Sequence, residues 1–239
     1  MTEIDPSLLL SSPVDLFSAS TSSRSNTGMG SSMLNLSARL DASLLRRAEE
    51  RQSNTALLHE ALEQVALRQY RKALEYLQEY LALSRAEGNT ADVGRAFRNI
   101  GVVYIHLKQP MKAIEFLTAG LQEAQQAENS ASAAKTLMHL GQAYTLQGQL
   151  EVAMAYLREA LQLAEMAGAQ KVAGAAMEKI AEVCMRRGDY RMANQLLRAS
   201  TDCASSAGDN DGVALAEAHL NENRKLWGAY RSALRSTKR

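Results

Sequence analysis

A repeat of forty residues is the feature that most constrains how this chain of 239 residues can fold. When the sequence is written in rows of forty, one column holds four alanines, and a leucine follows each of them by four residues: Ala73, Ala113, Ala153 and Ala193, then Leu77, Leu117, Leu157 and Leu197. A third column, further upstream, contains only small residues: Ala61, Gly101, Gly141 and Ala181. Self-similarity at a period of about 20–50 residues is typical of solenoids and repeat arrays.

Each unit is predicted to be a pair of antiparallel helices. Aromatic residues make up only 5% of the chain, and Leu and Ala dominate the 46% that is apolar, which favours helices over strands. Small residues let two helix backbones approach closely, and the leucines fill the space between pairs. We therefore expect an all-α solenoid of four units, at 53–88, 92–128, 132–168 and 172–208.

Glycines are expected to mark the turns. Gly148 and Gly188 fall inside a unit, and a second set falls between units, where Asn129 is predicted to replace glycine in the second unit: Gly88, Gly168 and Gly208. Glycine suits such positions because it adopts positive φ without steric cost.

The two ends of the chain differ from the repeats. Residues 1–32 contain ten Ser with two short apolar clusters, Leu8–Leu10 and Val14–Phe17, and are predicted to be a disordered tail. The clusters are either leftover hydrophobic residues or a docking peptide for a partner or for the chain's own groove. Residues 33–52 are predicted to be an N-terminal capping helix, and residues 209–239 a C-terminal capping helix with a basic end.

The spacing of small and aromatic residues resembles the tetratricopeptide repeat (TPR). Gly101-x-x-Tyr104 precedes Ala113-x-x-Phe116-Leu117, and the pattern recurs forty residues later. The common unit has about 34 residues, whereas the longer unit here is similar to the Pins/LGN-type adaptor repeats and, more distantly, to kinesin light chain. The segment Arg95–Gly101 carries the Pins-type resemblance, although the C-terminal Gα-binding motif of that family is absent from the sequence.

The resemblance implies a concave groove, lined by the first helix of each unit, that binds extended peptides. Two positions on these helices carry most of the polar candidates, and the predicted groove residues are His59, Arg95, Arg98, Asn99, Lys135, His139 and Lys179. Together they predict a mildly basic surface suited to a segment with Asp or Glu, or to a main chain held by Asn. The alternative is that they are solvated polar residues at a tolerant position.

Several other classes of site are excluded or disfavoured. The histidines at 59, 139 and 219 cannot share a metal ion, because successive helices lie about 8–10 Å apart and metal ligands must reach one ion at about 2 Å. The chaperone carboxylate clamp is matched at only two of five positions, Asn99 and Lys135. No phosphate loop and no nucleophile–base pair is found, so neither a cofactor nor an enzymatic activity is predicted.

Charge is nearly balanced overall, at a formal +1, but not locally. No acidic residue follows Glu222, whereas six basic residues do: Arg224, Lys225, Arg231, Arg235, Lys238 and Arg239. They are interpreted either as a solvated helix end or as an electrostatic tether to an acidic partner such as a tubulin tail, a nucleic acid or an anionic lipid.

The sequence thus predicts a non-catalytic scaffold or adaptor that holds a protein partner in its groove. Two unpaired-looking cysteines and the lack of a signal or membrane-spanning segment favour the cytoplasm. The nearest-looking families favour a microtubule- or cilium-associated assembly. One alternative is a self-inhibited sensor whose N-terminal tail occupies the groove. The other is a nucleic-acid-associated protein that uses the basic end, which the balanced charge disfavours.

Overall fold

The computed structural model describes residues 54–236. The predicted tail at 1–32, the capping helix at 33–52, and the terminal Lys238 and Arg239 lie outside the described residues. The described part of the chain is a succession of nine helices: α1 (Asn54–Ala66), α2 (Tyr70–Ala86), α3 (Thr90–His106), α4 (Pro110–Gln126), α5 (Ser130–Gln147), α6 (Leu150–Met166), α7 (Gln170–Arg187), α8 (Tyr190–Ser206) and α9 (Asn210–Ser236). No strand occurs between residues 54 and 236.

The predicted columns form the core of this all-α solenoid. The four alanines of the first column are fully buried, and the leucines four residues later are at most 1% exposed. Each odd-numbered helix packs against the helix that follows it, and each even-numbered helix packs against the next pair. The same buried columns lie inside each helix pair and at the contact between neighbouring pairs. The predicted fold class, an all-α solenoid, is therefore confirmed.

Two glycines set how closely the helices of a pair approach. A Cβ atom at Gly101 would lie 2.5 Å from Cγ of Leu117, and a Cβ atom at Gly141 would lie 2.5 Å from Cγ of Leu157. These distances are too short for real carbon atoms, so in these two pairs the leucine of the second helix occupies the space that glycine leaves. In α7 the same column holds Ala181, which is fully buried.

The prediction that Asn129 takes the place of glycine in the turn between the second and third pairs was wrong. Glu128, not Asn129, has the left-handed conformation between the second and third pairs, with a φ of 51°, where Gly88, Gly168 and Gly208 have φ values of 64–69°. Asn129 instead caps α5, because its side-chain oxygen accepts a hydrogen bond from the backbone N–H of Ser132 at 2.9 Å. The prediction placed the turn residue one position too late.

The first helices of successive pairs line the inner face of the array. α3 contacts α5, α5 contacts α7, and α7 contacts α9, in addition to the contacts that each makes with second helices. Elements that crowd together on one side of a stack of pairs form its concave side, so the surface of α1, α3, α5, α7 and α9 is the inner face.

The last helix, α9, is 27 residues long and ends the series in the described part of the chain. It packs on α8 through Ala216, Leu220 and the fully buried Asn223, whose side-chain amide donates to the carbonyl of Tyr190 at 3.0 Å. Its positions that correspond to Gly94, Phe97, Gly101 and Tyr104 of α3 are all exposed and mostly polar: Ala214, Glu217, Asn221 and Arg224. This side of α9 therefore presents mostly polar side chains where α3 presents the surface that packs against α4. The search for helices long and apolar enough to cross a membrane finds none among residues 54–236.

Candidate functional site

One position of the inner face recurs on four successive first helices and changes character along the array. It holds Arg95 on α3, Lys135 on α5, Ala175 on α7 and Leu215 on α9, and we call these four residues the inner row. A parallel row, four residues further along each helix, holds Asn99, His139, Lys179 and His219. The forty-residue period places members of each row one helix layer apart.

The α3–α5 end of the inner face carries a cluster of cations, Arg95, Arg98 and Lys135, which we call the basic cluster. Arg95 is 44% exposed and pairs with Asp92 at 3.1 Å. Arg98 is half-buried, and its guanidinium donates to the hydroxyl of Ser132 at 2.9 Å, which joins α3 to α5. Among residues 54–236, no carboxylate lies within ion-pair distance of Arg98 or Lys135.

The three cations of the basic cluster act on one another. The pKa of Arg98 is lowered to about 10, mainly by burial and also by the charge of Arg95. Burial also lowers the pKa of Lys135, with added repulsion from Arg98 and Arg95. These shifts indicate that the charges of Arg98 and Lys135 are poorly compensated, so an anion placed beside them would be stabilised.

His139 lies beside the basic cluster and is uncharged at neutral pH. Its ring Nδ1 is 3.4 Å from the side-chain oxygen of Gln142. The pKa of His139 is lowered to about 4, mainly by burial and also by the charges of Arg98 and Lys179, while the hydrogen bond with Gln142 acts in the opposite direction. Among the described residues, no group of His, Cys, Asp and Glu could hold a metal ion.

The α7 part of the inner face has cations whose charge is offset. Lys179 pairs with Glu182 at 3.5 Å, and Arg186 pairs with the same carboxylate at 3.1 Å. Arg186 also donates to the carbonyl of Thr145 on α5 at 3.2 Å. At the position equivalent to Arg98, α7 carries the buried Glu178, which accepts a hydrogen bond from Ser200 at 3.4 Å and whose pKa is raised by burial. The charge of Lys179, a predicted groove residue, is therefore offset by Glu182, whereas Arg98 and Lys135 have no such partner among residues 54–236.

The α9 end of the inner face is apolar, which the sequence-based prediction missed. Leu215 is 49% exposed and Leu226 is 40% exposed, with His219 half-buried between them. The Nδ1 atom of His219 is buried and has no hydrogen-bond partner in the part of the chain that the structure describes. The signal was available, because Ala175 and Leu215 stand in the same column as Arg95 and Lys135.

The remaining predicted residues lie at the margins. His59 is exposed on α1, and Asn99 is half-buried on α3 between Arg95 and Val102. The basic residues Arg224, Lys225, Arg231 and Arg235 are exposed along α9. The guanidinium of Arg231 lies 5.8 Å from the ring centre of Trp227, and Tyr230 packs on Tyr190 of α8 at 5.6 Å. These residues extend along the last helix and are not part of the basic cluster.

Comparison with known proteins gives a family match over part of the chain. Residues 92–166, from α3 to the end of α6, match the sequence profile described as "Tetratricopeptide repeat". This match confirms the predicted resemblance to that repeat, whereas the Pins/LGN-type detail stays a prediction. Among curated proteins, none matches the chain in sequence.

Solved structures with the same fold share little sequence with this chain. Aspartyl phosphate phosphatase F from Bacillus subtilis superimposes with a TM-score of 0.63 at 16% identity, covering 80% of this chain and 51% of that one. A Rap protein complexed with Competence and Sporulation Factor gives 0.58 at 13% identity, covering 72% and 54%. Kinesin light chain repeats from Podosopora anserina, described as putative and TPR-like, give 0.52 at 16% identity, covering 77% and 96%. The chain thus spans about half the length of the first two proteins, and all three likenesses show the fold alone.

Proposed function

We propose that this chain is a non-catalytic scaffold or adaptor. The premise is that residues 92–166 are tetratricopeptide repeats and that α1–α9 have the fold of TPR-like proteins. Its inner face holds an extended, acidic segment of a partner protein. Two of the structures with this fold are Rap proteins in complex with Competence and Sporulation Factor and with the Phr* peptide, which supports a peptide-binding role for the fold.

The basic cluster is the observation that carries this proposal. Arg98 and Lys135 have no carboxylate within ion-pair distance among residues 54–236, and their pKa values are lowered by burial and by neighbouring cations. A structural role would be expected to provide a counter-ion, as Glu182 does for Lys179 and Arg186. Carboxylates of a partner would form charge-assisted hydrogen bonds with guanidinium groups here, which are about twice as strong as bonds between neutral groups.

Neutral polar side chains beside the cluster suit the main chain of such a segment. Asn99 is half-buried on α3, and the His139–Gln142 pair lies on the adjacent α5. Side-chain amides offer both a donor and an acceptor, which match the N–H and C=O groups of an extended backbone. The cations therefore select acidic side chains, and the amides hold the backbone.

A cytoplasmic, cytoskeleton-linked assembly is the setting that we propose. The similarity in fold to the putative kinesin light chain repeats is its support. The exposed basic residues of α9 would add a second contact with an acidic surface such as a tubulin tail. Co-sedimentation of the full chain with microtubules tests this contact. We expect binding to fall when Arg231 and Arg235 are replaced by Glu, and undiminished binding would contradict the contact.

The main experiment selects ligands without assuming a partner. A displayed library of random 12-residue peptides is panned against the full chain, and the enriched peptides are synthesised with a fluorescein label for anisotropy titrations. We expect enrichment of Asp and Glu. We also expect the double variant Arg95→Glu, Lys135→Glu to weaken binding by about tenfold or more, because each substitution turns an attraction into a repulsion.

A matched variant separates the inner face from overall charge. Lys72→Glu and Lys112→Glu, made together, change the net charge by the same amount at exposed positions of the second helices α2 and α4. This control should bind as the unchanged chain does, and both variants should keep their helical circular dichroism signal. Failure to enrich any peptide, or equal affinity of the inner-face variant, would refute the proposal.

A further inference from the structure

The inner row divides the inner face into two zones with different chemistry. On α3 and α5 the row holds Arg95 and Lys135, and on α7 and α9 it holds Ala175 and Leu215. The same backbone position therefore presents charge on two neighbouring layers and apolar surface on the next two. A ligand that lies across the row meets both zones.

The second zone is not suited to another acidic group. Lys179 and Arg186 already share the carboxylate of Glu182 on α7. Glu222, at the equivalent position of α9, is exposed on the same face. An acidic side chain of a ligand would thus find its attraction to these cations offset by repulsion from two carboxylates.

Apolar surface remains open in this zone. Leu215 and Leu226 are 49% and 40% exposed on α9, and Ala175 is partly buried against the core. Exposed large apolar side chains occur singly on many surfaces. Here they lie on the concave side, next to a zone where Arg98 and Lys135 have no carboxylate within ion-pair distance among residues 54–236, and this continuity indicates a ligand that contacts both.

Resting on the proposed function, we propose that the ligand is a bipartite segment of a partner protein, with acidic side chains at the basic cluster and an apolar side chain at Ala175 and Leu215. The basic cluster attracts the acidic part, and burial of the apolar part against α7 and α9 fixes the position of the segment along the array. We assign this occupant because its acidic side chains match the cations of the first zone and its apolar side chain matches the apolar surface of the second.

The layer spacing sets the distance between the two parts. Lys135 and Leu215 lie two helix layers apart, which is about 16–20 Å for layers that pack at about 8–10 Å. An extended chain advances about 3.3 Å per residue. The acidic and apolar side chains of the ligand are therefore about five or six residues apart.

A spaced library tests this distance directly. Each displayed peptide carries two adjacent Glu and one Leu placed from two to nine residues away, on either side, in a random background of Ser, Gly and Ala. Panning against the full chain should enrich spacings of five and six in one chain direction. A flat distribution of spacings would overturn the proposal.

A double-mutant cycle tests which residues meet the apolar side chain. Leu215→Ser should weaken binding of the enriched Leu peptide about 5- to 10-fold, which corresponds to the loss of about one buried apolar contact. The same variant should bind the matched peptide with Ser in place of Leu as the unchanged chain does. Met192→Ser, at a position 52% exposed on the second helix α8, is the control and should leave both affinities unchanged.

The outcomes distinguish this proposal from the proposed function. If binding depends on Arg95 and Lys135 but not on Leu215, the bipartite ligand is refuted and the acidic-segment groove stands. If no peptide binds, both are refuted. Replacing Leu8, Leu9 and Leu10 by Ser in the full chain tests the chain's own N-terminal segment as occupant. Tighter peptide binding by that variant would assign the apolar zone to this segment and overturn a partner as its occupant.

Discussion

The two ends of the inner face are built on the same forty-residue unit, yet they differ in charge and in packing. Across α3 and α5, Arg98 and Lys135 have no acidic partner among residues 54–236, and Gly101 and Gly141 leave no room for a Cβ atom against the second helix of each pair. Across α7 and α9, cations share the carboxylate of Glu182, and Ala181 stands in the glycine column. The comparison teaches that the buried columns maintain the fold in every layer, whereas the inner row is free to differ from layer to layer.

The largest effect should come from adding a methyl group in the glycine column. Gly101→Ala places a Cβ atom at 2.5 Å from Cγ of Leu117, a fully buried side chain, so the helices α3 and α4 must move apart. Overpacking of this kind costs about 1–3 kcal/mol. Urea unfolding followed by circular dichroism should show a lower midpoint.

The matched substitution in the other region is Gly174→Ala on α7. There the nearest atom to an added Cβ is Cβ of Cys203 at 3.4 Å, which is an ordinary contact. Gly174 is the equivalent of Gly94 and not of Gly101, whose column holds Ala181 in α7, so the comparison is between a crowded and an uncrowded helical glycine. Because alanine favours helix more than glycine by about 1 kcal/mol, this variant should be as stable as the unchanged chain or slightly more stable. If the two substitutions lowered the free energy of unfolding equally, the proposed difference in packing between the regions would be wrong.

The next effect concerns pH and distinguishes His139 from its counterparts in the parallel row. The pKa of His139 is lowered to about 4 from 6.5, mainly by burial, so the folded state disfavours its protonation. The unfolded chain takes up this proton as the pH falls below about 6.5, and the folded chain does so only near 4. The contribution of His139 to stability is therefore complete above about 6.5 and is lost between 6.5 and 4, by on the order of 1–2 kcal/mol between pH 7 and 5.

Urea titrations at pH 7 and pH 5 measure this loss. In the His139→Gln variant the difference between the two pH values should shrink by that amount. Met192→Gln, at a non-titratable position that is 52% exposed on α8, is the control and should show the same pH dependence as the unchanged chain. An unaltered dependence in His139→Gln would mean that His139 titrates normally.

The smallest effect should come from the turns inside each pair. Lys108 has a φ of 58° after α3, whereas Gly148 has a φ of 83° at the equivalent turn after α5. A residue with a Cβ atom is strained in the left-handed region, so Lys108→Gly should stabilise the chain by about 0.5–1 kcal/mol. Gly148→Lys should destabilise it by a similar amount, and no atom lies within 4 Å of an added Cβ there, which excludes a steric clash. Thermal melting of both variants checks the opposite signs.

The columns made the fold predictable, because burial in a solenoid follows the repeat period. Ala73 and Leu77 and their equivalents are buried in every pair, as a shared core requires. The turn at Glu128 also follows from the period, since 128 lies forty residues from both Gly88 and Gly168, but the residue type favoured the neighbouring Asn129. Asn suits both a left-handed turn and a helix cap, and the choice between these roles depends on where α5 begins.

Only part of the candidate site could be predicted from the sequence. The position of Arg95 and Lys135 on one row follows from the period alone. The pair Lys179–Glu182 has a spacing that could have been recognised as a helical ion pair. The bond from Arg186 to the carbonyl of Thr145, and the burial that lowers the pKa of His139, depend on how neighbouring helices pack and have no signature in a single sequence.

The stacking of the helices has a consequence for unfolding cooperativity. Extensive contacts join only helices that are at most two places apart, so α3 and α9 do not support one another directly. In such an array, stability is close to a sum of local terms, and the ends can open without the middle. A ligand that spans the layers from α3 to α9 would tie together elements that otherwise unfold separately. Its binding would convert a gradual loss of structure into a single transition, because it stabilises the spanned helices together by a free energy that grows with the logarithm of its concentration relative to its Kd.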